Sequence, residues 1–281
     1  MAPISSYKKG IILAGGTGSR LYPETQTVSK QLLPVFDKPM IHYPLSTLIL
    51  AGIREILIIS TPNHLGSFEH LLGDGRNLGI SLQYAVQPTP DGLPEAYVIG
   101  RHFTGSDNVV MILGDNIFYG PRFEQQLATA SSRKSGGTIF VKAAEDANRY
   151  GVLELDPEGR PLSLEEKPAK PKSNLAVTGI YFFDNRVLDI AADLTPSARG
   201  ETEIVDVIRH YLDLGELCVE QLDSECAWLD AGTHESLTLA AHSIEEAQQQ
   251  DGIKIGCPEQ AALTMGFISE KHREAGGSGA T

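Results

Sequence analysis

Cysteine is scarce in this chain of 281 residues, which has only Cys218, Cys226 and Cys257. Their odd number and the lack of C-x-x-C spacing argue against both a disulfide framework and a zinc knuckle. No apolar segment approaches the roughly 20 residues of a membrane-spanning helix. The first residues, MAPISSYKKG, also lack the apolar core of a signal peptide. We therefore expect a reduced, soluble, cytoplasmic protein with no membrane partner.

Positive charge is also in short supply. The chain has 23 Lys and Arg against 36 Asp and Glu, a net charge of −13. Binding to nucleic acid by counterion release needs a surplus of cations, so we expect no nucleic-acid partner. Attraction to anionic lipid is disfavoured for the same reason. A local cationic pocket for a phosphorylated small molecule stays compatible with these numbers, because net charge does not describe a single cleft.

Several familiar catalytic motifs are missing as well. There is no G-x-S-x-G elbow, and the eight histidines show no H-x-H or H-E-x-x-H spacing. The chain has no Gly-Lys-Ser/Thr of a Walker A loop, and its glycine-rich segment does not complete G-x-G-x-x-G. With no evident protein nucleophile, the chemistry that fits best is direct displacement at phosphorus. In such a reaction the protein neutralises charge and positions the reactants.

Continuous apolar runs alternate with helical patterns in the first part of the chain. Such runs are typical of strands buried on both faces of a parallel sheet, and their alternation with helices indicates βαβ units of an α/β fold. Strands are predicted at 9–15, 55–60, 82–86 and 108–113, and helices at 41–51, 68–72 and 92–100.

The middle of the chain has shorter segments in which apolar and polar residues alternate, joined by turns such as Asp156-Pro157-Glu158-Gly159. This pattern predicts an antiparallel extension packed on the first sheet. The final residues, AGGSGAT, predict a flexible tail at 271–281. The strands of the extension are predicted at 138–142, 151–155 and 177–183, and helices follow at 202–214 and 234–249, with Trp228 on a short strand between them.

A glycine-rich loop, Leu13-Ala14-Gly15-Gly16-Thr17-Gly18-Ser19-Arg20, directly follows the first strand. Three glycines in four positions allow backbone N–H groups to converge on an anion, and Arg20 adds a charged fork. The competing interpretation is a turn that merely closes the strand. Lys30 alone would be a solvated surface charge, but its position shortly after this loop favours a second phosphate contact.

Asp115 lies in Leu113-Gly114-Asp115-Asn116, at the end of an apolar strand. Ligands of parallel sheets bind beyond the carboxyl ends of the strands, and an Asp there could hold Mg²⁺ together with phosphate oxygens and water. Alternatively, Asp115 caps the next turn. Asp230, in Trp228-Leu229-Asp230, would by itself be interpreted as structural, and Glu165-Glu166-Lys167 as a solvated run. Spacing alone does not show whether Asp115 and Asp230 share a cation.

Taken together, these motifs resemble the glucose-1-phosphate thymidylyltransferase family of sugar nucleotidyltransferases. The segments GIILAGGTGSRLYPET, SKQLLPV, LGDNIFYG, LEEKP, VTGIYFFD, RGETEI and WLDAGTH occur in the family's order between about Lys9 and Phe267. The resemblance implies a Rossmann-like, mostly parallel mixed sheet flanked by helices, with an antiparallel sugar-binding extension. We thus expect one domain over 1–270, with a nucleotide-binding part at about 1–120, a sugar-binding part at about 138–232 and a C-terminal helical part at about 234–270.

The activity that the resemblance implies is Mg²⁺-dependent transfer of a thymidylyl group from dTTP to α-D-glucose 1-phosphate. The products are pyrophosphate and dTDP-glucose, a precursor of deoxysugars such as dTDP-rhamnose. Arg20, Lys30 and Lys167 would be catalytic: the first two would contact the triphosphate, and Lys167 the sugar phosphate. Asp115 and Asp230 would hold the metal ion.

The resemblance also implies the binding residues. Gln87 and Gly92 would contact the thymine edge, because an amide can donate and accept at once. The nucleotide-binding set is Leu13, Gly15, Gly16, Thr17, Gly18, Arg20, Gln31, Gln87, Pro90, Gly92 and Asp115. The sugar phosphate-binding set is Leu113, Gly151, Glu166, Lys167, Val177 and Tyr181, with the segment 174–179 completing the sugar pocket.

Two departures from the family's pattern leave alternatives open. Gly92-Leu93-Pro94-Glu95-Ala96 stands where Gly-Leu-Ala-Gln-Ala is common, so UTP or an amino-sugar 1-phosphate stays an alternative substrate. The short polar C-terminus departs where the family has subunit contacts and a regulatory site, so a homotetramer or dimer and a feedback nucleotide-sugar are implied only by analogy. A non-catalytic nucleotide-sugar-binding subunit is disfavoured because Arg20, Lys30, Asp115, Lys167 and Asp230 are all present.

Overall fold

The computed structural model describes residues 5–16 and 18–270. Thr17 of the glycine loop and the predicted tail at 271–281 lie outside these ranges. The strands are β1 (Lys9–Ala14), β2 (Pro34–Val35), β3 (Lys38–Pro39), β4 (Glu55–Ser60), β5 (Ser81–Val86), β6 (Val109–Leu113), β7 (Asn116–Tyr119), β8 (Gly137–Ala143), β9 (Gly151–Leu155), β10 (Pro161–Glu166), β11 (Leu175–Phe183), β12 (Leu217–Gln221) and β13 (Ala227–Asp230). The helices are α1 (His42–Leu50), α2 (Leu65–Leu72), α3 (Glu95–Ile99), α4 (Arg101–Thr104), α5 (Phe123–Ser132), α6 (Val187–Ala192), α7 (Ile204–Asp213), α8 (His234–Asp251) and α9 (Pro258–Thr264).

Four parallel strands, in the order β6-β1-β4-β5, form one half of a larger mixed sheet. The sequences KGIILA, EILIIS and VVMIL of β1, β4 and β6 are almost wholly buried. Strands covered on both faces need apolar residues at every position, which explains these continuous runs. The predicted α/β class and its mostly parallel sheet are confirmed.

The carboxyl ends of β1, β4 and β6 meet at one edge of this sheet. Leu13 lies opposite Ile59 on one side and Leu113 on the other. The Ser60 Oγ donates a hydrogen bond of 2.9 Å to the carbonyl of Ala14. The chain segments that leave these strands therefore begin side by side, at the edge where open parallel sheets bind ligands.

Strand β11 joins the two halves of the sheet. It runs antiparallel to β6, β8 and β9, as the predicted extension requires, although β12 then adds to β8 in parallel. Alternation predicts a strand with one exposed face, and this is wrong for β11, because all nine of its residues are buried. A strand with neighbours on both edges and packing on both faces has no solvent-facing side.

Helices cover the sheet in two apolar layers. Successive residues of β1 point to opposite layers, with Ile12 in one and both Ile11 and Leu13 in the other. Helices α1, α2, α5 and α9 contribute to the first layer, and α3, α6 and α7 to the second. In the described ranges, no helix combines the length and the apolar character that crossing a membrane requires.

Two predicted helices begin later than expected. Helix α3 begins at Glu95 and not at 92, because Gly92 has a φ of +127°, outside the helical region, and Pro94 is the N-cap. Helix α7 begins at Ile204 and not at 202, because Thr202 forms an isolated bridge with Gly92. Gly92 and Thr202, which were predicted to start these helices, instead pair with each other.

Candidate active site

A cavity of about 460 Å³ opens at the carboxyl edge of the parallel strands. Its walls come from the glycine loop after β1, the loop after β5, the start of β7, strands β9–β11 and the segment 199–204 before α7. A smaller depression beside it is lined by Gly18, Ser19 and Gly232, together with cavity residues of the glycine loop. The candidate site thus includes residues from almost the entire length of the chain.

Side chains are disfavoured in the glycine loop, by lack of space at Gly15 and by backbone conformation at Gly16 and Gly18. A Cβ atom on Gly15 would overlap the Oε1 atom of Gln87, and Gly16 has a φ of +91°. Gly18 also has a positive φ, and its carbonyl accepts a hydrogen bond of 2.7 Å from the Thr25 hydroxyl. The close approach of bare backbone and the exposed Arg20 that follows are typical of an anion-binding loop.

Two aspartates approach each other across the pairing of β13 with β7. Asp230 lies opposite Asn116, next to Asp115, and the backbone N–H of Ala231 donates 3.2 Å to the Asp115 carbonyl. The Asp115 carboxylate, only 18% exposed, accepts hydrogen bonds from the Lys30 ammonium and from Asn116 Nδ2. Backbone pairing therefore settles what spacing left open: these carboxylates belong to one site.

The two carboxyl groups have opposite pKa shifts. Burial would raise the pKa of Asp115, but the charge and hydrogen bond of Lys30 bring that pKa below its ordinary value. Burial and then the neighbouring charge of Asp115 raise the pKa of Asp230. Two neighbouring carboxylates repel each other, and the single positive charge of Lys30 neutralises only part of their negative charge. A cation would therefore be favoured between them.

This donor set fits a magnesium ion. Within the described residues there is no group of three or more His, Cys, Asp or Glu side chains that could hold a metal. Mg²⁺ is usually bound by one or two carboxylates, with substrate phosphates and water completing its octahedron. Asp115 and Asp230 therefore suit an ion that arrives with a phosphate ligand better than one held permanently by the protein.

A charged network lines the side of the cavity formed by β9 and β10. Glu166, at the end of β10, accepts a hydrogen bond of 3.0 Å from Arg199, and its carboxylate lies 3.4 Å from the Lys167 ammonium. Arg199 also donates 2.7 Å to Glu203. Lys167 has a φ of +43°, which is uncommon for a residue with a side chain and clusters at functional positions. Its backbone N–H donates to the carbonyl of Tyr150, which fixes the turn.

The loop after β5 forms the remaining wall. The Gln87 backbone N–H continues the sheet by donating 2.8 Å to Ser60, and its side-chain Nε2 donates 2.7 Å to Glu95. Beyond it, the Thr202 backbone N–H donates 2.9 Å to the carbonyl of Asp91, and Gly92 bridges to Thr202. This contact, here termed the 91–202 clamp, joins the loop after β5 to the segment before α7.

The chain is similar to known proteins over most of its length. The nucleotidyl transferase family profile matches residues 9–247. The glucose-1-phosphate thymidylyltransferase of Xanthomonas campestris pv. campestris (strain B100) is 54% identical over 267 residues, which covers 95% of this chain and 90% of that protein. The chain belongs to the glucose-1-phosphate thymidylyltransferase family. It is a nucleotidyltransferase, as the sequence motifs predicted.

Solved structures support the same fold. A Bacillus anthracis protein in complex with sucrose superposes with a TM-score of 0.78 at 41% identity, covering 84% of this chain and 94% of that one. A UDP-glucose pyrophosphorylase complexed with UDP-glucose gives 0.75 at 25% identity, covering 86% and 99%. The thymidylyltransferase family thus shares its architecture with an enzyme named for a different nucleotide, so base selection depends on local residues.

The structure brings nearly all of the predicted site residues together. Gly18 lines the smaller depression, and Thr17 lies outside the described residues. The predicted residues that line the main cavity are Leu13, Gly15, Gly16, Arg20, Lys30, Gln31, Gln87, Pro90, Gly92, Leu113, Asp115, Gly151, Glu166, Lys167, Val177, Tyr181 and Asp230. Their roles toward a ligand stay predictions.

Several cavity residues had no predicted role. Arg199 was visible in the motif RGETEI, and Trp228 in WLDAGTH, but neither motif showed that these side chains would reach the cavity. Trp228 Nε1 donates 2.6 Å to Asn116 Oδ1, which also accepts from the backbone of Gly179. The presence of Arg199 and Trp228 in quoted motifs was the only available signal. The unassigned set also includes Arg149, Tyr150, Thr202, Glu203 and Ile204.

Proposed function

We propose that the protein transfers a thymidylyl group from dTTP to α-D-glucose 1-phosphate, forming dTDP-glucose and pyrophosphate. One observation supports this most: a single cavity is lined by a glycine loop with Arg20, a pair of aspartates and two further cations, Lys167 and Arg199, which are paired with Glu166 and Glu203. Two anionic reactants require two cationic regions, and a buried carboxylate pair suits the metal ion that accompanies a triphosphate.

The proposed reaction is a single displacement at the α-phosphorus. A phosphate oxygen of the sugar phosphate forms the new bond to this phosphorus as the bond to the β-phosphate oxygen breaks in line. Arg20 and the backbone of the glycine loop would neutralise the departing pyrophosphate, while Lys30 would contact the triphosphate. Bound Mg²⁺, held by Asp115 and Asp230, would stabilise charge on the transferring phosphoryl group.

Lys167 and Arg199 would hold the attacking phosphate, and Glu166 would accept hydrogen bonds from the sugar hydroxyls. Arg199 can bind this phosphate only if it divides its hydrogen bonds between the ligand and the two carboxylates, Glu166 and Glu203. Because no side chain supplies a nucleophile in this scheme, catalysis depends on position and charge alone.

A broader nucleotidyltransferase activity is the second candidate. The Glu95 carboxylate accepts a hydrogen bond from Gln87 Nε2 at the wall where the nucleobase would lie, and Glu95 departs from the family's usual Gln. Because the segment 92–96 departs from the family's pattern beside this wall, UTP and amino-sugar 1-phosphates belong in the first assay. We also propose a cytoplasmic homotetramer or dimer subject to feedback by a nucleotide-sugar, which light scattering and inhibition assays would test. The downstream product is proposed to be a deoxysugar such as dTDP-rhamnose.

The decisive experiment measures pyrophosphate release with Mg²⁺ for dTTP and UTP, each with glucose 1-phosphate and glucosamine 1-phosphate. The proposal expects strong turnover only with dTTP and glucose 1-phosphate. Similar rates with UTP or the amino sugar would replace it with the broader activity. Absence of turnover with every pair would favour a binding subunit.

Lys167→Ala is expected to raise the KM for glucose 1-phosphate by about 10- to 100-fold, with a smaller effect on the KM for dTTP. A charge-assisted hydrogen bond contributes roughly 1.5–3 kcal/mol, which corresponds to that range. Initial rates with each substrate varied in turn would measure both constants.

Lys172→Ala is the matched control for Lys167→Ala. Lys172 lies nearby in sequence, is 52% exposed and pairs with Glu165 at 2.8 Å, away from the cavity lining. Its KM values should equal those of the wild type. If Lys167→Ala leaves the KM for glucose 1-phosphate unchanged, Lys167 does not contact that substrate.

A further inference from the structure

The side-chain amide of Gln87 has only one orientation compatible with its neighbour. Its Nε2 donates a hydrogen bond of 2.7 Å to Oε2 of Glu95. An ionised carboxylate accepts hydrogen bonds but cannot donate them, whereas an amide has one end of each kind. If the amide turned over, two acceptor oxygens would face each other. Glu95 therefore fixes the nitrogen of Gln87 toward itself and the oxygen away.

The oxygen fixed in this way lies on the cavity side. Oε1 of Gln87 is so close to Gly15 that a Cβ atom on that glycine would overlap it, and both residues line the cavity. Gln87 is only 4% exposed, and its backbone is bonded to Ser60. Within residues 5–16 and 18–270, no side chain donates a hydrogen bond to this oxygen. Gln87 thus presents a rigid acceptor.

We infer that Glu95 is a positioning residue for base selection. By holding the nitrogen of Gln87, it turns the amide oxygen, a hydrogen-bond acceptor, toward the nucleobase. This inference rests on the proposed function, in which the base lies at Gln87. The amide does not offer both of its ends to the ligand, as the sequence suggested: its nitrogen is turned toward Glu95, which accepts from one of its two N–H groups, and its oxygen is the end that meets the ligand. A fixed acceptor selects a base with a ring N–H, the N3–H of thymine or uracil, against cytosine, whose N3 is itself an acceptor.

The inference separates two kinds of discrimination. Thymine and uracil have the same N3–H and differ only in the methyl group at C5. Glu95 should therefore contribute to the choice of dTTP over dCTP but not to the choice of dTTP over UTP. A general loosening of the base pocket would instead alter both ratios, so the pair of ratios distinguishes positioning from a merely structural role.

Glu95→Gln tests this with minimal change of shape. A glutamine at this position can accept from Gln87 Nε2 or donate to Gln87 Oε1, so the Gln87 amide becomes free to turn over. We expect kcat/KM for dTTP to fall by ~3- to 10-fold and the dTTP:dCTP preference by roughly 10-fold, the scale of one hydrogen bond. The dTTP:UTP preference should stay within twofold of the wild type.

The matched control is Glu124→Gln. Glu95 lies in the first turn of α3, and Glu124 occupies the first turn of α5, exposed and outside the cavity lining. Both variants lose one acidic group near a helix N-terminus, but only Glu95 contacts Gln87. The control should keep both nucleotide preferences.

An unchanged dTTP:dCTP preference in Glu95→Gln would overturn the inference, as would an equal fall in both preferences. If the wild type turns over no nucleotide, the proposed function fails and titration calorimetry takes the place of the assay. Wild-type binding of dTTP over dCTP that weakens in Glu95→Gln would then support Glu95 alone. Equal binding of the two nucleotides by the wild type, or no binding, would overturn the inference.

Discussion

Asp115→Asn is expected to lower kcat for dTDP-glucose formation by about a thousandfold while leaving the protein folded. Removal of one preorganised electrostatic group from an active site typically costs ~10²–10³ in kcat, and a metal ligand belongs to the upper end. The amide keeps the shape of Asp115 and can still accept from the partly buried Lys30 ammonium. It lacks the charge that attracts a divalent cation.

Loss of stability must be separated from loss of catalysis in this variant. The neutral amide bonds Lys30 less strongly than the carboxylate, so unfolding free energy should fall by roughly 1–3 kcal/mol. Asp184→Asn is the control, because Asp184 is buried and bonded to Arg186 and Tyr211, outside the cavity lining. That variant should lose stability and keep kcat.

The readouts are kcat, its dependence on Mg²⁺ concentration and the thermal midpoint. Asp115→Asn should require more Mg²⁺ for half-maximal activity, whereas Asp184→Asn should not. Near-wild-type kcat with an unchanged Mg²⁺ requirement would remove Asp115 from the metal site and return it to the role of a turn cap.

The centre of the fold was predictable because its physical cause is local. Strand β4 was expected at 55–60 and is observed at Glu55–Ser60, since a parallel strand covered on both faces is apolar at each position. Once the strands are parallel, their carboxyl ends must share an edge. The convergence of Gln87, Asp115 and the glycine loop follows from that topology without further information.

Contacts between distant segments were beyond this kind of inference. The approach of Asp230 to Asp115 depends on the pairing of β13 with β7, two short strands in a sheet of their own. The role of Arg199 depends on how segment 199–204 folds over β10 and the loop after β5. Neither sequence pattern encodes its partner, so Asp230 was predicted only through the family resemblance and Arg199 was given no role.

The loop after β5 shows most clearly how a distant contact overrides a local pattern. The apolar spacing from 92 to 100 favoured a helix, but the chain enters α3 only at Glu95. Before that point Gly92 has a φ of +127° and its α-carbon lies against the backbone of Thr202. A glycine is needed there for its conformation and for its size, neither of which hydrophobic periodicity reports.

Gly92→Ala is therefore expected to lower kcat/KM by about 100-fold, with KM raised for both substrates. A Cβ atom would overlap the Thr202 carbonyl and lie 2.8 Å from the Thr202 nitrogen, so the 91–202 clamp must open. The clamp joins the wall that holds Gln87 to the segment that holds Arg199. Displacement of such walls by ~1 Å can cost 10²-fold in rate.

Gly159→Ala separates the overlap from ordinary glycine strain. Gly159 also has a positive φ, +79°, in the turn between β9 and β10, but a Cβ atom there meets nothing within 4 Å. Its variant should lose some stability, on the order of 1–3 kcal/mol for an unfavourable backbone conformation, and keep both KM values. If Gly92→Ala behaves in the same way, the clamp does not couple the two substrate sites. A contact that couples both walls must displace both when it opens. If Gly92→Ala raises the KM of one substrate only, the clamp therefore positions only the wall that binds that substrate.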